Sequence, residues 1–292
     1  MTAPAVPHRY RCCCPTGSVA KTCPSTARLR AVSSGGQEAQ QAQQAQGTPG
    51  ALGVIAGTGF YALDELRDPE DVTVDTAFGP TRARIGTVHD RRTVFISRHG
   101  YDHSVPPHMV NYRANIQAMV DLGVSEILAI NVVGGVGTDS GDLVIVDDFI
   151  DFTKARPVTF FDGSTPEGVV HVDVGEPYHP RLRSAWKQAA DNLGVDVIDH
   201  GVYGAYEGPR FETRAEIRLA ALAGVTVVGM TGVPEVVLAL EKNLPYASLS
   251  LVANPAAGQG TEPITIEDVQ AVVADGATTV TRILSEAARL LA

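Results

Sequence analysis

The chain has 292 residues, room for one large or two small domains, and it is 44% hydrophobic and 19% charged, as befits a globular protein with a substantial core. Its formal net charge of −10 argues against a phosphate backbone as partner, so no nucleic acid is expected and any anion site must be local. No apolar run reaches the roughly 18 residues a membrane span needs, so no membrane partner is expected either.

Residues 1–49 differ from the rest. They hold the tract from Gln37 to Gln46, rich in Gln and Ala, with scattered Pro, Ser and Gly. They carry five basic residues and one acidic residue, against 18 and 32 in the remainder. Without hydrophobic periodicity they cannot bury a core, and a disordered N-terminal extension is the expectation. A targeting peptide and a misassigned start codon are the alternatives. All four cysteines, Cys12, Cys13, Cys14 and Cys23, fall here. The remainder therefore has no disulfide framework and no cysteine metal site, which fits a cytoplasmic location.

From residue 51 the texture changes. Short apolar runs at 52–56, 92–98, 126–133, 143–150, 225–229 and 246–253 read as strands. Helical patterns at 111–122, 181–193, 213–223, 234–242 and 266–291 fall between and after them. Alternating strands and helices predict an α/β fold, with residues 50–292 as a single domain. Its central sheet is expected to be mixed, largely parallel and flanked by helices. Sites in such sheets gather at the carboxyl ends of the strands.

Polar motifs occupy those ends. Gly57-Thr58-Gly59 follows the first strand, and its backbone N–H groups and hydroxyl can cradle a phosphate, or the glycines can simply make a tight turn. Arg98-His99-Gly100 ends the second strand. An arginine there can bind phosphate in bidentate fashion or form a salt bridge. His99 and His103 lack a third ligand at suitable spacing, so no metal is expected. Asn131 and Val132 precede the glycines of Gly134-Gly135-Val136-Gly137, where Asn131 can cap a turn or touch a phosphate or ribose. Met230 can pack on a sugar or in the core, and Thr231 can donate to phosphate. Glu235 opens the following helix, facing its dipole or a ribose hydroxyl.

Tyr206-Glu207-Gly208-Pro209-Arg210-Phe211-Glu212-Thr213 and Leu251-Val252-Ala253-Asn254-Pro255 complete the set. Glu212 can accept hydrogen bonds from a purine N1–H and N2 amino group, Asn254 can grip O6 and N7, and Phe211 can lie against the ring. Such a pocket selects 6-oxopurines, because a carboxylate opposes the N1 lone pair of adenine. Each buried group left unpaired costs roughly 1–3 kcal/mol, and sites built from polar partners discriminate strongly.

These segments, with Val110-Asn111-Tyr112-Arg113-Ala114-Asn115 and Met230-Thr231-Gly232-Val233-Pro234-Glu235, make residues 51–292 resemble the trimeric class of purine nucleoside phosphorylases, on the side of the 5′-methylthioadenosine phosphorylases. The resemblance implies a nucleoside phosphorylase-like fold and a homotrimer in which a neighbour completes each site. It also implies a phosphate site from Thr58, Arg98, His99, Asn131, Val132 and Thr231, with Met230 at the ribose. Ile266 falls near the 5′ pocket. The chain departs from the methylthioadenosine enzymes at Asn254-Pro255-Ala256, where they carry aspartates, and at Glu212, where they carry a small residue. Asn131 stands where a threonine is usual, and Thr165 where a histidine reaches the neighbour's 5′ site. The stretch 252–258 is similar to the bacterial methylthioinosine phosphorylases.

The expected activity is phosphorolysis of inosine or guanosine to the free base and ribose 1-phosphate, with Asn254 and Arg98 as catalytic residues. Phe211, Glu212, Met230, Asn254, Pro255 and Ala256 are the expected substrate contacts, and Glu212, Asn254 and Ile266 set specificity. Phosphate is a co-substrate, and no cofactor is expected. Methylthioinosine phosphorolysis is the close alternative. A nucleoside hydrolase and a non-enzymatic purine-binding protein are the more distant ones.

Overall fold

A computed structural model describes residues 50–60, 65–261 and 263–292. The extension expected at 1–49 lies outside the described residues.

The central strand β1 (Ala51–Ala56) is buried along its whole length and pairs in parallel with β4 (Arg91–Ser97) on one side and β5 (Val124–Gly135) on the other. Its side chains alternate between two cores, as the period of two in a strand requires. Leu52, Val54 and Ala56 face the core that holds Trp186 and Leu182 of α2 (Pro180–Leu193) and Val280 and Ile283 of α5 (Ile266–Leu291). Ala51 and Ile55 face Ile116 and Met119 of α1 (Tyr112–Asp121) and Val236 and Leu238 of α4 (Gly232–Glu241). Each fully buried Leu, Ile or Val stabilises by roughly 1.5–3 kcal/mol, so helices on both faces follow from an apolar central strand.

The sheet is mixed. Its order is β2 (Arg67–Thr76), β3 (Gly79–Val88), β4, β1, β5, β9 (Val227–Gly229), β8 (Val202–Ala205), β7 (Asp148–Asp151). Strand β10 (Tyr246–Pro255) also pairs with β5, and β6 (Leu143–Ile145) with β10, so β5 is where the sheet forks. The parallel pairs are β1–β4, β1–β5, β5–β10, β7–β8 and β8–β9, while β2–β3, β3–β4, β5–β9 and β6–β10 are antiparallel.

Among the described residues the five α-helices lie where the sequence places them, within a few residues. Their starts have local causes. Asn111 accepts from the Ala114 N–H at the head of α1, and Thr213 and Glu216 form a capping box at the head of α3 (Arg214–Leu222). The strand expected at 143–150 is instead two, β6 and β7. Asp147 breaks the run: its carboxylate accepts from Gly201 N–H at 3.1 Å, drawing the chain toward β8. The hairpin β2–β3 and strand β8 were not expected, and β2 is almost entirely exposed, without the apolar run that marks a buried strand.

Candidate active site

A cavity of about 540 Å³ opens at the carboxyl ends of the central strands. Of the residues singled out from sequence, Thr58, His99, Val132, Phe211, Glu212, Met230, Thr231, Asn254 and Ile266 line it. Arg98, Asn131, Pro255 and Ala256 do not.

Arg98 follows β4, and its N–H donates to Ala56 at the end of β1. Its side chain is fully buried. Nε and Nη2 donate to the two carboxylate oxygens of Glu235 at 2.7 and 2.6 Å, and Nη1 donates to the Ile130 carbonyl at 2.6 Å. Tyr246 donates to Glu235 as well. Burial works against the guanidinium charge, but the Glu235 carboxylate outweighs it and leaves the Arg98 pKa raised. The bidentate partner of Arg98 is thus the Glu235 carboxylate of this chain. Glu235 accordingly faces neither the helix dipole alone nor a sugar; it neutralises Arg98.

His99 does line the cavity. Its Nδ1–H donates to the Val105 carbonyl at 2.8 Å, which leaves Nε2 as the acceptor in the neutral ring. Burial pushes its pKa down to about 4; the Val105 carbonyl opposes that, and Arg98 and His103 add to it. His99 is therefore neutral at physiological pH. Thr58 Oγ1 lies 3.5 Å from Nε2 of His103, whose ring meets the His99 ring edge-on at 5.1 Å.

Asn131 sits behind Thr231. Its Nδ2 donates to Ser248 Oγ at 2.6 Å and its Oδ1 accepts from Thr231 Oγ1 at 3.3 Å. It orients the threonine instead of facing the cavity. A buried amide between two hydroxyls satisfies its polar atoms without a ligand.

The segment carrying Phe211 and Glu212 is held at both ends. Arg210 clamps Glu216 with two bonds of 2.9 and 2.8 Å, and the capping box of Thr213 and Glu216 starts α3 immediately after Glu212. Upstream, Arg156 is buried among five acceptors: Glu207 Oε1, the carbonyls of Tyr206, Glu207 and Val233, and the Tyr112 hydroxyl. Tyr112 in turn donates to the Pro107 and Met230 carbonyls. One guanidinium therefore ties three walls together. Gly208 has a φ of +65°, and a Cβ there would lie 2.6 Å from Met230 Sδ, so a side chain at this position would collide with the wall. Phe211 is partly exposed at 36%, while Glu212 is only 8% exposed. Burial raises the Glu212 pKa, with Glu216 adding repulsion and its own N–H and Arg210 opposing it. Among the described residues no side chain donates to Glu212.

Asn254 stands at a β-bulge. The β10–β5 register shifts so that Val252 opposes Val133 and Asn254 opposes Gly134. The extra residue, Ala253, re-aims Asn254. A Cβ at Gly134 would sit 3.4 Å from Asn254 Nδ2, so a glycine leaves the amide its room. The amide donates to the Pro255 carbonyl at 2.8 Å. Asn254 also borders a second cavity of about 290 Å³, and it is this one that Pro255 and Ala256 line. After the bulge the chain stays on β5, with Pro255 opposite Gly135 and the Ala256 N–H donating to the Gly135 carbonyl at 2.7 Å.

Sequence reasoning missed His103, Ser104, Pro106, Pro107, Val228 and Gln270 as lining residues. Gln270 had a signal: it lies four residues after Ile266 on a helix, hence on the same face. Among the described residues no group of three or more His, Cys, Asp or Glu side chains gathers as a metal site, and no helix is long and apolar enough to cross a membrane.

The same architecture is found in known proteins. The phosphorylase superfamily profile matches residues 51–289. A probable S-methyl-5′-thioinosine phosphorylase of Methanopyrus kandleri is 52% identical over 222 residues, covering 75% of this chain and 84% of that protein. The 6-oxopurine nucleoside phosphorylase of Pyrococcus furiosus is 43% identical over 224 residues, covering 75% and 84%. The methylthioadenosine phosphorylase of Schistosoma mansoni, solved in complex with adenine, superposes with a TM-score of 0.79 at 33% identity, covering 82% of this chain and 91% of that one. With a profile spanning nearly the whole described region and relatives this similar over most of their length, the chain is an enzyme of the phosphorylase superfamily.

Proposed function

We propose that the chain cleaves 6-oxopurine nucleosides by phosphorolysis. The observation that carries this reading is Glu212, a buried carboxylate on the cavity wall with its pKa raised and no side-chain donor. A hypoxanthine or guanine N1–H supplies the missing donor, whereas adenine brings a lone pair. Asn254 turns from the Pro255 carbonyl to donate to N7 or O6, and Phe211 covers the ring. A phosphate oxygen forms the bond to C1′ as the C1′–N9 bond breaks, and its electron pair leaves with the purine. Asn254 stabilises that leaving charge through N7 while solvent supplies the proton. The neutral His99 accepts a hydrogen bond from a protonated phosphate oxygen, and Thr58 donates. The catalysis is positioning and electrostatics, with no covalent intermediate and no cofactor. The homotrimer and the cytoplasmic location implied by the resemblance and the cysteine distribution belong to this reading.

Methylthioinosine is the second substrate to test, because Ile266 and Val269 give part of the cavity an apolar surface. Gln270 beside them offers a polar partner for a 5′-hydroxyl, which favours inosine and guanosine. The test is inosine cleavage with and without phosphate. Phosphate-dependent release of hypoxanthine and ribose 1-phosphate is expected. Free ribose formed without phosphate would make the enzyme a hydrolase, and binding without cleavage would make it a purine-binding protein.

A further inference from the structure

Two walls of the cavity come from different parts of the chain. Phe211 and Glu212 follow β8, while Met230 and Thr231 stand between β9 and α4. Under the proposed reaction the purine lies against the first wall. The Met230–Thr231 turn then faces the part of the nucleoside beyond the base. Phosphate must meet C1′ as N9 departs, so the spacing of the two walls bears directly on the reacting distance.

One buried cation outside the cavity spans that spacing. Arg156 lies in the loop after β7, and its side chain is only 1% exposed. Nε donates to Glu207 Oε1 at 3.2 Å, and Nη2 donates to the Tyr206 and Glu207 carbonyls at 3.1 and 2.7 Å. These bonds fix the stretch that leads into Phe211 and Glu212. Glu207 Oε2 accepts from the N–H groups of Lys154 and Ala155 at 2.6 and 3.3 Å, which locks the loop of Arg156 to the same residue. Nη1 reaches the other wall, donating to the Val233 carbonyl at 2.7 Å and to the Tyr112 hydroxyl at 3.2 Å. That hydroxyl lies 2.9 Å from the Pro107 carbonyl and 3.4 Å from the Met230 carbonyl, and both residues line the cavity. The guanidinium has five N–H bonds and finds five acceptors here, so the cation is fully committed to the protein. Its planar fork holds both sets of carbonyls in one fixed geometry, which a lysine cannot reproduce.

We propose that Arg156 and Tyr112 form one positioning unit that sets the distance between the base wall at Glu212 and the wall at Met230. This rests on the phosphorolysis reading. Neither side chain lines the cavity; both act through the carbonyls they hold.

The experiment measures kcat and KM for inosine at saturating phosphate, and the Kd of hypoxanthine by calorimetry. The proteins are wild type, Tyr112→Phe, Arg156→Lys and the double variant, each assayed well below its melting temperature. Tyr112→Phe keeps the ring and removes only the hydroxyl that joins Arg156 to the Met230 wall. Its kcat should fall about tenfold or more, because small misplacements of reacting groups are costly. Its Kd for hypoxanthine should stay within about twofold, because the free base meets only the Glu212 wall. Arg156→Lys should show the same split. The double variant should fall no more than about twofold below Arg156→Lys alone, because contacts in one network do not add. A merely structural role would lower Tm and leave the kcat of folded Tyr112→Phe at the wild-type value; that result overturns the proposal while phosphorolysis stands. Hypoxanthine affinity lost in step with kcat, or effects that multiply in the double variant, also overturn it. Should Arg156→Lys not fold, Tyr112→Phe decides by itself. If wild type releases free ribose without phosphate, or leaves inosine intact, the phosphorolysis reading fails and this proposal with it.

Discussion

Strand β4 begins at one buried arginine, Arg91, and is followed at once by another, Arg98, and the two ends of the sheet use them differently. At the amino end Arg91 donates to Glu126, Ser125 and the carbonyls of Gly50 and Leu291, and Arg181 joins the same Glu126. This knot ties both ends of the described chain to the sheet. At the carboxyl end Arg98 pairs with Glu235 just behind the cavity. Both arginines are satisfied, yet the carboxyl end also carries cavity-lining polar groups: among the described residues Glu212 has no side-chain donor, and Asn254 folds back on its own strand. Where every polar atom has a partner the region supplies stability. Where partners are missing it awaits a ligand. A buried arginine at a strand end is not by itself an anion site, because a glutamate distant in sequence can claim it.

The largest expected effect breaks the symmetry of the two pairs. Arg98→Ala leaves Glu235 uncompensated in the core and should lower unfolding free energy by about 3–5 kcal/mol. Arg91→Ala should cost less, on the order of 1–3 kcal/mol, since Arg181 still pairs with Glu126. Urea unfolding of the two variants checks this, and equal losses would show that Arg181 does not substitute. Arg91→Ala should also leave the substrate preference unchanged at a temperature where it is folded.

Next in size is the loss of leaving-group stabilisation. Asn254→Ala should lower kcat for inosine on the order of 100-fold with stability little changed. Single-turnover kinetics beside a melting curve separates the two quantities.

Glu212→Gln sharpens the contrast further, because stability and function should move in opposite directions. A carboxyl whose pKa is raised in the folded state contributes its stability below the ordinary value of 4.5 and loses it as pH rises through the raised value. The neutral variant should therefore melt higher than wild type at neutral pH, and the difference should vanish in acid. Its kcat/KM for inosine should fall roughly tenfold or more, the equivalent of one buried hydrogen bond to a charged group. Melting curves from acid to neutral pH test the first half; a lower Tm for the variant at neutral pH would contradict it.

The smallest effect concerns the 5′ end of the sugar. Gln270→Leu extends the apolar surface of Ile266 and Val269, and should shift the kcat/KM ratio toward methylthioinosine by about 5–30-fold, since one buried methyl-sized group is worth roughly 1–2 kcal/mol. No shift would place the 5′ group elsewhere.

Much of the fold was legible because its signals are local. Helix caps such as Thr213 with Glu216, and the apolar runs of β1 and β5, mark their elements without knowledge of the rest. Strands β2 and β8 were not legible: β2 carries exposed charges, and β8 is four residues whose partners lie far along the chain. In the site, Thr58, Met230 and Asn254, at or just after strand ends, and Glu212, in the loop after β8, line the cavity. The pairings of Arg98 with Glu235 and of Asn131 with Thr231 were not legible, because the partners lie 137 and 100 residues away along the chain. The bulge at Ala253, and the second cavity that Pro255 and Ala256 line, are not revealed by alternation alone.

The central claim is that Glu212 and Asn254 select a 6-oxopurine. The direct measurement is kcat/KM for inosine and adenosine side by side at saturating phosphate, repeated with the double variant Glu212→Ser, Asn254→Asp. Inosine should exceed adenosine on the order of 100-fold or more in wild type, the discrimination expected of buried polar partners, and the ratio should fall in the variant. Adenosine cleaved as well as inosine, or a ratio the double variant leaves unchanged, would contradict the account.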